Sequence, residues 1–84
     1  MVRHVPFPVA DYLQRFGEVV RELRTKERLS QEELAFRCSI DRTYISTIER
    51  GKKSTTIKTL LRLGDALNTT PARLLVATEK KLQR

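Results

Sequence analysis

Apolar residues near the start of the chain recur with the period of an amphipathic helix. Four of them are spaced by three or four positions: Leu13, Phe16, Val20 and Leu23. Residues at this spacing share one face of an α-helix, and that face packs against the rest of a small domain. The pattern predicts a first helix from about Asp11 to about Glu27.

The segment before this helix contains Pro6 and Pro8. Proline lacks an amide donor and restrains the residue before it to extended geometry, so residues 1–10 are predicted to form an N-terminal arm. Its apolar residues Val5, Phe7 and Val9 alternate with polar or proline positions. Packing against the domain's own core and packing against a second subunit both fit this pattern.

The stretch from Ser30 to Glu33 carries the signature of a helix start. Ser30 is a preferred N-cap residue and Glu33 stands three positions later, which makes a capping box. The second helix that begins here turns Leu34, Ala35 and Cys38 inward and is predicted to end near Cys38.

A third short helix is predicted after a tight link. Asp41 is a preferred N-cap, and Gly51 is a typical stop signal, so the helix spans residues 42 to about 50. Ile45 and Ile48 then share its inward face. Two short helices joined by three or four residues can cross at a steep angle, which is the geometry of a helix-turn-helix.

Two further helices complete a predicted all-α domain. Thr56 can cap a fourth helix, and Thr70 followed by Pro71 places a cap before a proline at the first position of a fifth. The apolar residues of the fourth helix are Ile57, Leu60, Leu61 and Leu67. The fifth helix is expected to fray from Glu79 onward. The predicted regions are an arm (1–10), a domain (11–79) and a charged C-terminal tail (80–84).

The charge of the chain indicates a partner. There are 17 Lys and Arg against 10 Asp and Glu, a formal net charge of +7, and such a basic excess on a small domain is typical of proteins that bind polyanions. Residues 36–62 hold seven basic and two acidic residues, whereas residues 63–79 hold one basic and two acidic. Nucleic acid, facing the basic segment 36–62, is therefore the leading candidate partner.

Other classes of function lack the residues that they need. A single cysteine, Cys38, and a single histidine, His4, exclude an internal disulfide and provide neither a metal cluster nor a nucleophile–base pair. Cys38 is interpreted as a core residue. No apolar run reaches the length of a membrane span or a signal-peptide core. We predict a cytoplasmic protein that is not an enzyme and uses no cofactor, metal, membrane or small-molecule ligand.

The amino-acid sequence of the two short helices resembles that of one family. The motif is LSQEELA, from Leu29, followed four residues later by IDRTYISTIERGK, which ends at Lys52. It resembles the phage-repressor (Cro/CI-like, XRE) helix-turn-helix family and, within it, the restriction–modification controller proteins. The resemblance covers roughly residues 16–75. It implies a lambda-repressor-like fold of five helices, the third of which reads DNA.

The resemblance also implies which residues contact DNA. Gln31 matches the glutamine that fixes the second helix to a phosphate. The outward residues of the third helix match the family's DNA-facing positions: Arg42, Thr43, Ser46, Thr47 and Arg50. Arg42 is the first candidate for reading a base, because arginine can donate two hydrogen bonds to guanine. Thr43 and Thr47 rank next.

Three neighbouring residues complete the predicted DNA-binding set. Tyr44 can contact phosphate or sugar through its hydroxyl or simply cover the edge of the helix, and the sequence supports both interpretations equally. Lys52 and Lys53 follow Arg50 in a place where the helix dipole and nearby phosphates both favour cations. Lys53 also fits a solvated loop.

Four other positions are assigned structural consequences. The resemblance implies that Arg24 and Glu49 form an ion pair between the first and third helices, so both are left out of the DNA-binding set. Ser39 stands where the family usually has glycine, and a left-handed backbone would cost serine about 1 kcal/mol. Gly64 stands where alanine is usual, at a cost of roughly 1 kcal/mol unless close helix packing requires it.

A homodimer is expected because one helix-turn-helix contacts only a few base pairs. Two copies on a palindromic or pseudopalindromic operator would place half-sites about one DNA turn apart. The resemblance locates the dimer surface at helix 5 and the link before it, with Leu74, Val76 and Leu82 as candidates, although Leu74 fits the core equally well. The predicted function is a sequence-specific transcription regulator: a repressor or restriction–modification controller. The alternatives are an antitoxin that also holds a toxin, and a non-specific nucleoid or RNA binder.

Overall fold

The computed structural model describes residues 8–83, and these form five α-helices and no strand. The helices are α1 (Val9–Lys26), α2 (Gln31–Cys38), α3 (Arg42–Glu49), α4 (Ile57–Ala66) and α5 (Pro71–Leu82). The predicted all-α architecture, with a helix-turn-helix made by α2 and α3, is confirmed. No helix within residues 8–83 has the length and apolar character needed to cross a membrane.

α1 begins two residues before its predicted start. Pro8 occupies the N-cap position, where its missing amide donor is not needed, and its carbonyl accepts a hydrogen bond from the Tyr12 N–H at 3.1 Å. Val9 and Ala10 are therefore helical, and Val9 is exposed rather than packed on the core. The predicted placement of Val5 and Phe7 in the arm lies outside the described residues.

Side-chain caps begin the other four helices, as predicted. Ser30 Oγ accepts from the Glu33 N–H at 3.0 Å while a Glu33 carboxylate oxygen accepts from the Ser30 N–H at 2.8 Å, so the capping box is complete. The other three caps each accept a backbone N–H of the first turn: Asp41, Thr56 and Thr70. These caps satisfy amide donors that a helix start would otherwise leave without partners.

The core forms where α1 packs against both α3 and α5, with α4 closing one side against α2 and α5. Its innermost side chains come from all five helices: Val20, Leu34, Ile45, Ile48, Leu63 and Leu74. Gly17 of α1 meets the end of α3, where an added Cβ would lie 2.6 Å from the Glu49 carbonyl oxygen. The absence of a side chain at Gly17 therefore lets α1 and α3 approach closely.

The C-terminal end of α5 is better ordered than the sequence pattern predicted. The expected fraying from Glu79 is wrong, because the helix continues to Leu82. Lys81 Nζ lies 2.7 Å from a Glu22 carboxylate oxygen and 3.8 Å from one of Glu18, so the last turn of α5 is tied to α1. These partners are distant in sequence, which is why the periodicity could not reveal them.

The structure confirms the strained backbone at one of the two unusual positions and explains the residue at the other. Ser39 adopts the left-handed conformation, φ 54°, and the N–H of Ile40 donates to the Ala35 carbonyl at 3.0 Å to close α2. At Gly64 an added Cβ would lie 3.0 Å from Pro71 Cδ. Close packing of α4 on the start of α5 thus accounts for glycine inside a helix.

Candidate nucleic-acid interface

The side of α3 that faces away from the core carries the predicted base-reading residues. Arg42 and Thr43 are exposed on the first turn of the helix. Asp41 accepts a hydrogen bond from the Thr43 N–H at 3.2 Å, which fixes the start of the helix and therefore the direction in which both side chains leave it. This turn is where recognition helices present side chains to base edges.

Side chains on the next turn of α3 form some of their hydrogen bonds with the backbone of the helix itself. Thr47 donates its hydroxyl to the Thr43 carbonyl at 2.7 Å, and the Arg50 Nε donates to the Ser46 carbonyl at 3.3 Å. The Thr47 hydroxyl oxygen can still accept a hydrogen bond. The other guanidinium nitrogens of Arg50 can donate to another acceptor. Both side chains can therefore still form hydrogen bonds with DNA.

The loop after α3 turns sharply at Gly51, where φ is 72°, and exposes Lys52 and Lys53. Lys53 Nζ lies 5.5 Å from the centre of the Tyr44 ring, within cation–π range. The Tyr44 hydroxyl lies 3.5 Å from the Ser54 carbonyl oxygen, to which it donates a long hydrogen bond. Tyr44 is half-buried and therefore braces the loop to α3 while its edge stays accessible.

The ion pair between α1 and α3 is confirmed. The Arg24 Nε donates to one Glu49 carboxylate oxygen at 2.6 Å and the Nη2 donates to the other at 3.0 Å, while the Nη1 holds the Leu29 carbonyl at 2.9 Å. The hydrogen bonds to Glu49 raise the pKa of Arg24 further above its usual value. The pair fixes the last residue of α3 against α1 and the loop that leads to α2.

Gln31 belongs to the same cluster, a connection that the sequence reasoning missed. Its side-chain Nε2 donates to Glu49 at 3.0 Å. Gln31 was predicted to be a phosphate contact and Glu49 a purely structural residue, yet their side chains touch across 18 positions of sequence. No local spacing signals this contact, since it depends on how α2 crosses α3.

Cys38 is buried in the core, as interpreted from the sequence. Desolvation raises the pKa of its thiol above the usual value, so the neutral form is favoured at physiological pH. The thiol therefore acts as a small apolar side chain between α2 and the rest of the core.

Several apolar side chains outside the DNA-facing side are exposed. The predicted dimer candidate Leu74 is fully buried in the domain's own core, so it is not available to a second subunit. In contrast, Ile57 and Leu61 of α4 are 77% and 58% exposed, and Val76 of α5 is 51% exposed. Ile57 and Leu61 are four positions apart and share a face of α4 that points away from the core. The sequence analysis grouped them with the inward-facing apolar residues of the same helix.

Comparison with known proteins finds close relatives over most of the domain. The profile of a family described as helix-turn-helix matches residues 20–74. The control protein C.BamHI of Bacillus amyloliquefaciens is 44% identical over 61 residues, which are 71% of this chain and 75% of that protein. The solved restriction–modification controller C.AhdI of Aeromonas hydrophila is 44% identical with a TM-score of 0.72, over 74% of this chain and 94% of that one. The controller C.Esp1396I, solved as a tetramer on its natural 35 base-pair operator, is 30% identical with a TM-score of 0.76, over 87% and 96% of the two chains.

Proposed function

The chain belongs to the helix-turn-helix family, and from that premise we propose that it is a transcription regulator that binds a palindromic or pseudopalindromic operator as a homodimer. Its regulated genes are those of a restriction–modification system. The observation that carries this proposal is the exposed first turn of α3, where Arg42 and Thr43 project from a helix that is anchored on its other side by the buried Glu49.

Base reading is assigned first to Arg42. An exposed guanidinium at the start of a helix can enter the major groove and donate two parallel hydrogen bonds to guanine O6 and N7. Thr43 and Thr47 follow on the same side of α3, where a threonine methyl can meet thymine and a hydroxyl can meet a base or a phosphate. These residues give α3 a means of distinguishing sequences, which a merely basic surface lacks.

Phosphate binding is assigned to residues at the two ends of the helix-turn-helix. Gln31 lies at the first turn of α2, and Arg50, Lys52 and Lys53 follow the exposed side of α3 into the loop. Contacts of this kind set the register of the protein on DNA and make the affinity fall as salt rises. The role of Tyr44 is proposed as bracing of this loop, with its hydroxyl in reach of the backbone of the DNA.

The dimensions of the domain suit a dimer on one side of a duplex. Its principal extents are 40 × 23 × 22 Å, and adjacent major grooves on one side of B-DNA are about 34 Å apart, so two copies can sit side by side. The exposed apolar residues Ile57, Leu61 and Val76 supply a surface on α4 and α5 for this contact. These two helices touch each other where Gly64 packs on Pro71.

The similarity to C.BamHI, C.AhdI and C.Esp1396I favours control of restriction–modification genes. The same similarity does not favour the antitoxin alternative. The chain acts by occupying DNA rather than by catalysis, in the cytoplasm where its operator is found. The operator complex of C.Esp1396I contains a tetramer, and two dimers of this chain on adjacent sites would let its own concentration set the degree of regulation.

The proposal is tested by selection from a pool of randomised duplexes at near-physiological salt, followed by sequencing of the retained DNA. A palindromic motif with half-sites about ten base pairs apart is the expected result. Arg42→Ala should weaken binding to this motif. Arg21→Ala removes the same guanidinium from an exposed position of α1 and should leave binding unchanged. Retention without an enriched motif would overturn sequence-specific regulation.

A further inference from the structure

We propose that Glu49 is a positioning residue for DNA binding: it orients the Gln31 carboxamide so that one N–H points to a phosphate. The ion pair that holds α1 to α3 would then also set the phosphate contact of α2. The inference rests on the proposed function and deepens it, because it assigns a DNA-binding consequence to a buried residue that does not itself touch DNA.

Three donors converge on the Glu49 carboxylate. Arg24 donates to Glu49 Oε2 at 2.6 Å and to Glu49 Oε1 at 3.0 Å. Gln31 Nε2 also donates to Oε1, at 3.0 Å. The Glu49 side chain is only 4% exposed. Its position is therefore fixed from two sides, and the place where Gln31 can form its hydrogen bond is fixed with it.

A carboxylate at this position selects which end of the Gln31 amide it binds. An ionised carboxylate only accepts hydrogen bonds, so it binds the nitrogen and not the oxygen of the carboxamide. Within residues 8–83, the bond to Glu49 is the one hydrogen bond of the Gln31 side chain, so the second hydrogen on Nε2 is left for another acceptor. A phosphate is also an acceptor, and the nitrogen held by Glu49 is the one side-chain donor that Gln31 can offer it.

The charges of the cluster suit this arrangement. Glu49 and a phosphate are both anions, and direct proximity between them is unfavourable. Arg24 neutralises Glu49, and the uncharged Gln31 is hydrogen-bonded to the same carboxylate. Arg24 also holds the Leu29 carbonyl at 2.9 Å, two residues before Gln31, so the start of α2 is attached to the same point.

The test uses the duplex enriched in the pool selection, with one neutral methylphosphonate at a time replacing each phosphate around a half-site. For the wild-type chain, replacing the phosphate that Gln31 contacts should reduce the affinity roughly tenfold. Gln31→Ala should reduce the affinity for unmodified DNA by about the same factor. Replacing that phosphate should then have no further effect on the affinity of this variant. This variant keeps the Arg24–Glu49 pair, so its fold should persist.

Glu49→Gln and Glu49→Asp then test the positioning role. A glutamine can bind either end of the Gln31 amide, and an aspartate keeps the charge for Arg24 but is too short by one methylene to reach Gln31 as well. In both variants the sensitivity at the Gln31 phosphate should fall to about twofold or less, while the phosphates that report Arg50 and Lys52 keep their full effect. Partial unfolding would lower the affinity for every duplex by the same factor and leave each phosphate effect at its full size, so the pattern distinguishes the two.

Full sensitivity at the Gln31 phosphate in a folded Glu49 variant would overturn the positioning role and leave the proposed function intact. An equal loss at all phosphates would also overturn it, since Glu49 would then be structural only. Failure of the wild-type chain to enrich any duplex would instead remove the proposed function and, with it, the basis of this inference.

Discussion

The two sides of α3 differ in what they contact. On the inner side, Ile48 is buried in the core and Glu49 is held by Arg24 from α1. On the outer side, Arg42 and Thr43 are exposed and held only by the backbone that carries them. The inner side fixes where the helix lies, and the outer side presents residues that can differ without moving it. Changes on the inner side should therefore reduce stability, and changes on the outer side should alter DNA binding alone.

The largest effect is expected from Glu49→Ala. It leaves the Arg24 guanidinium without its carboxylate in a place where Arg24 is only 15% exposed, which should lower the free energy of unfolding by about 3 kcal/mol. Urea denaturation followed by circular dichroism measures this. Arg50→Ala, at the adjacent exposed residue, should stay within about 0.5 kcal/mol of the wild type. Equal effects of the two substitutions would contradict the division of α3 into two sides.

Gly17→Ala should also act through the inner side. The added Cβ would overlap the Ile48 and Glu49 carbonyl oxygens, the latter at 2.6 Å, so α1 and α3 must separate. We expect a loss of about 2 kcal/mol in the free energy of unfolding. Gly64→Ala, whose closest contact is 3.0 Å to a proline ring, is a graded control and should cost less. If Gly17→Ala lowers the melting temperature no more than Gly64→Ala does, the close approach of α1 to α3 would be refuted.

On the outer side, Arg42→Ala should weaken operator binding without loss of stability. Removal of one bidentate contact to guanine should cost about 1.5 kcal/mol of binding free energy, roughly tenfold in affinity. Fluorescence anisotropy on the selected duplex measures the affinity. Competition with duplexes altered at each base pair shows whether discrimination is lost at one position, as base reading requires. A uniform loss at all positions would assign Arg42 to phosphate binding instead.

Ser39→Gly tests the turn that joins α2 to α3. The left-handed φ of 54° costs serine about 1 kcal/mol relative to glycine, so the substitution should raise the free energy of unfolding by up to that amount. Ser39→Ala keeps a Cβ and should bring no such gain. Chemical denaturation of the three proteins side by side compares them, and a gain shared by alanine and glycine would show that backbone strain is not the cause.

The smallest effect is expected from the capping box. Hydrogen bonds from Ser30 hold the pKa of Glu33 below its usual value. A pKa that is depressed in the folded state stabilises the protein above the ordinary glutamate range, and this contribution is lost as pH falls through the folded-state pKa. Glu33→Gln should therefore flatten the acid side of the stability profile measured by thermal unfolding. An unchanged slope would mean that the charge at Glu33 contributes nothing.

The helix starts could be predicted because their signals are local. Ser30 with Glu33, Asp41, Thr56 and Thr70 each act within one turn of sequence, and each caps a helix in the structure. The resemblance to a family supplied the Arg24–Glu49 pair. The DNA-facing roles of Arg42, Thr43 and their neighbours remain predictions that rest on the resemblance.

The features that sequence reasoning missed depend on how distant elements meet. The bond from Gln31 to Glu49 requires a particular crossing of α2 and α3, and the link from Lys81 to Glu22 spans 59 positions. Helical periodicity identifies an apolar face but not which of its residues a neighbour covers. Hence it could not show that Leu61 is exposed while Leu74 is buried.

The packing of α5 against α1 has a consequence for how this domain is made. α1 is synthesised before α5, the helix that packs on it. During translation the nascent chain therefore carries an uncovered α1 until Pro71–Leu82 has left the ribosome, and the native fold closes only then. A ribosome stalled before α5 should display a chain that chaperones bind and proteases cleave, whereas release of a few more residues should abolish both.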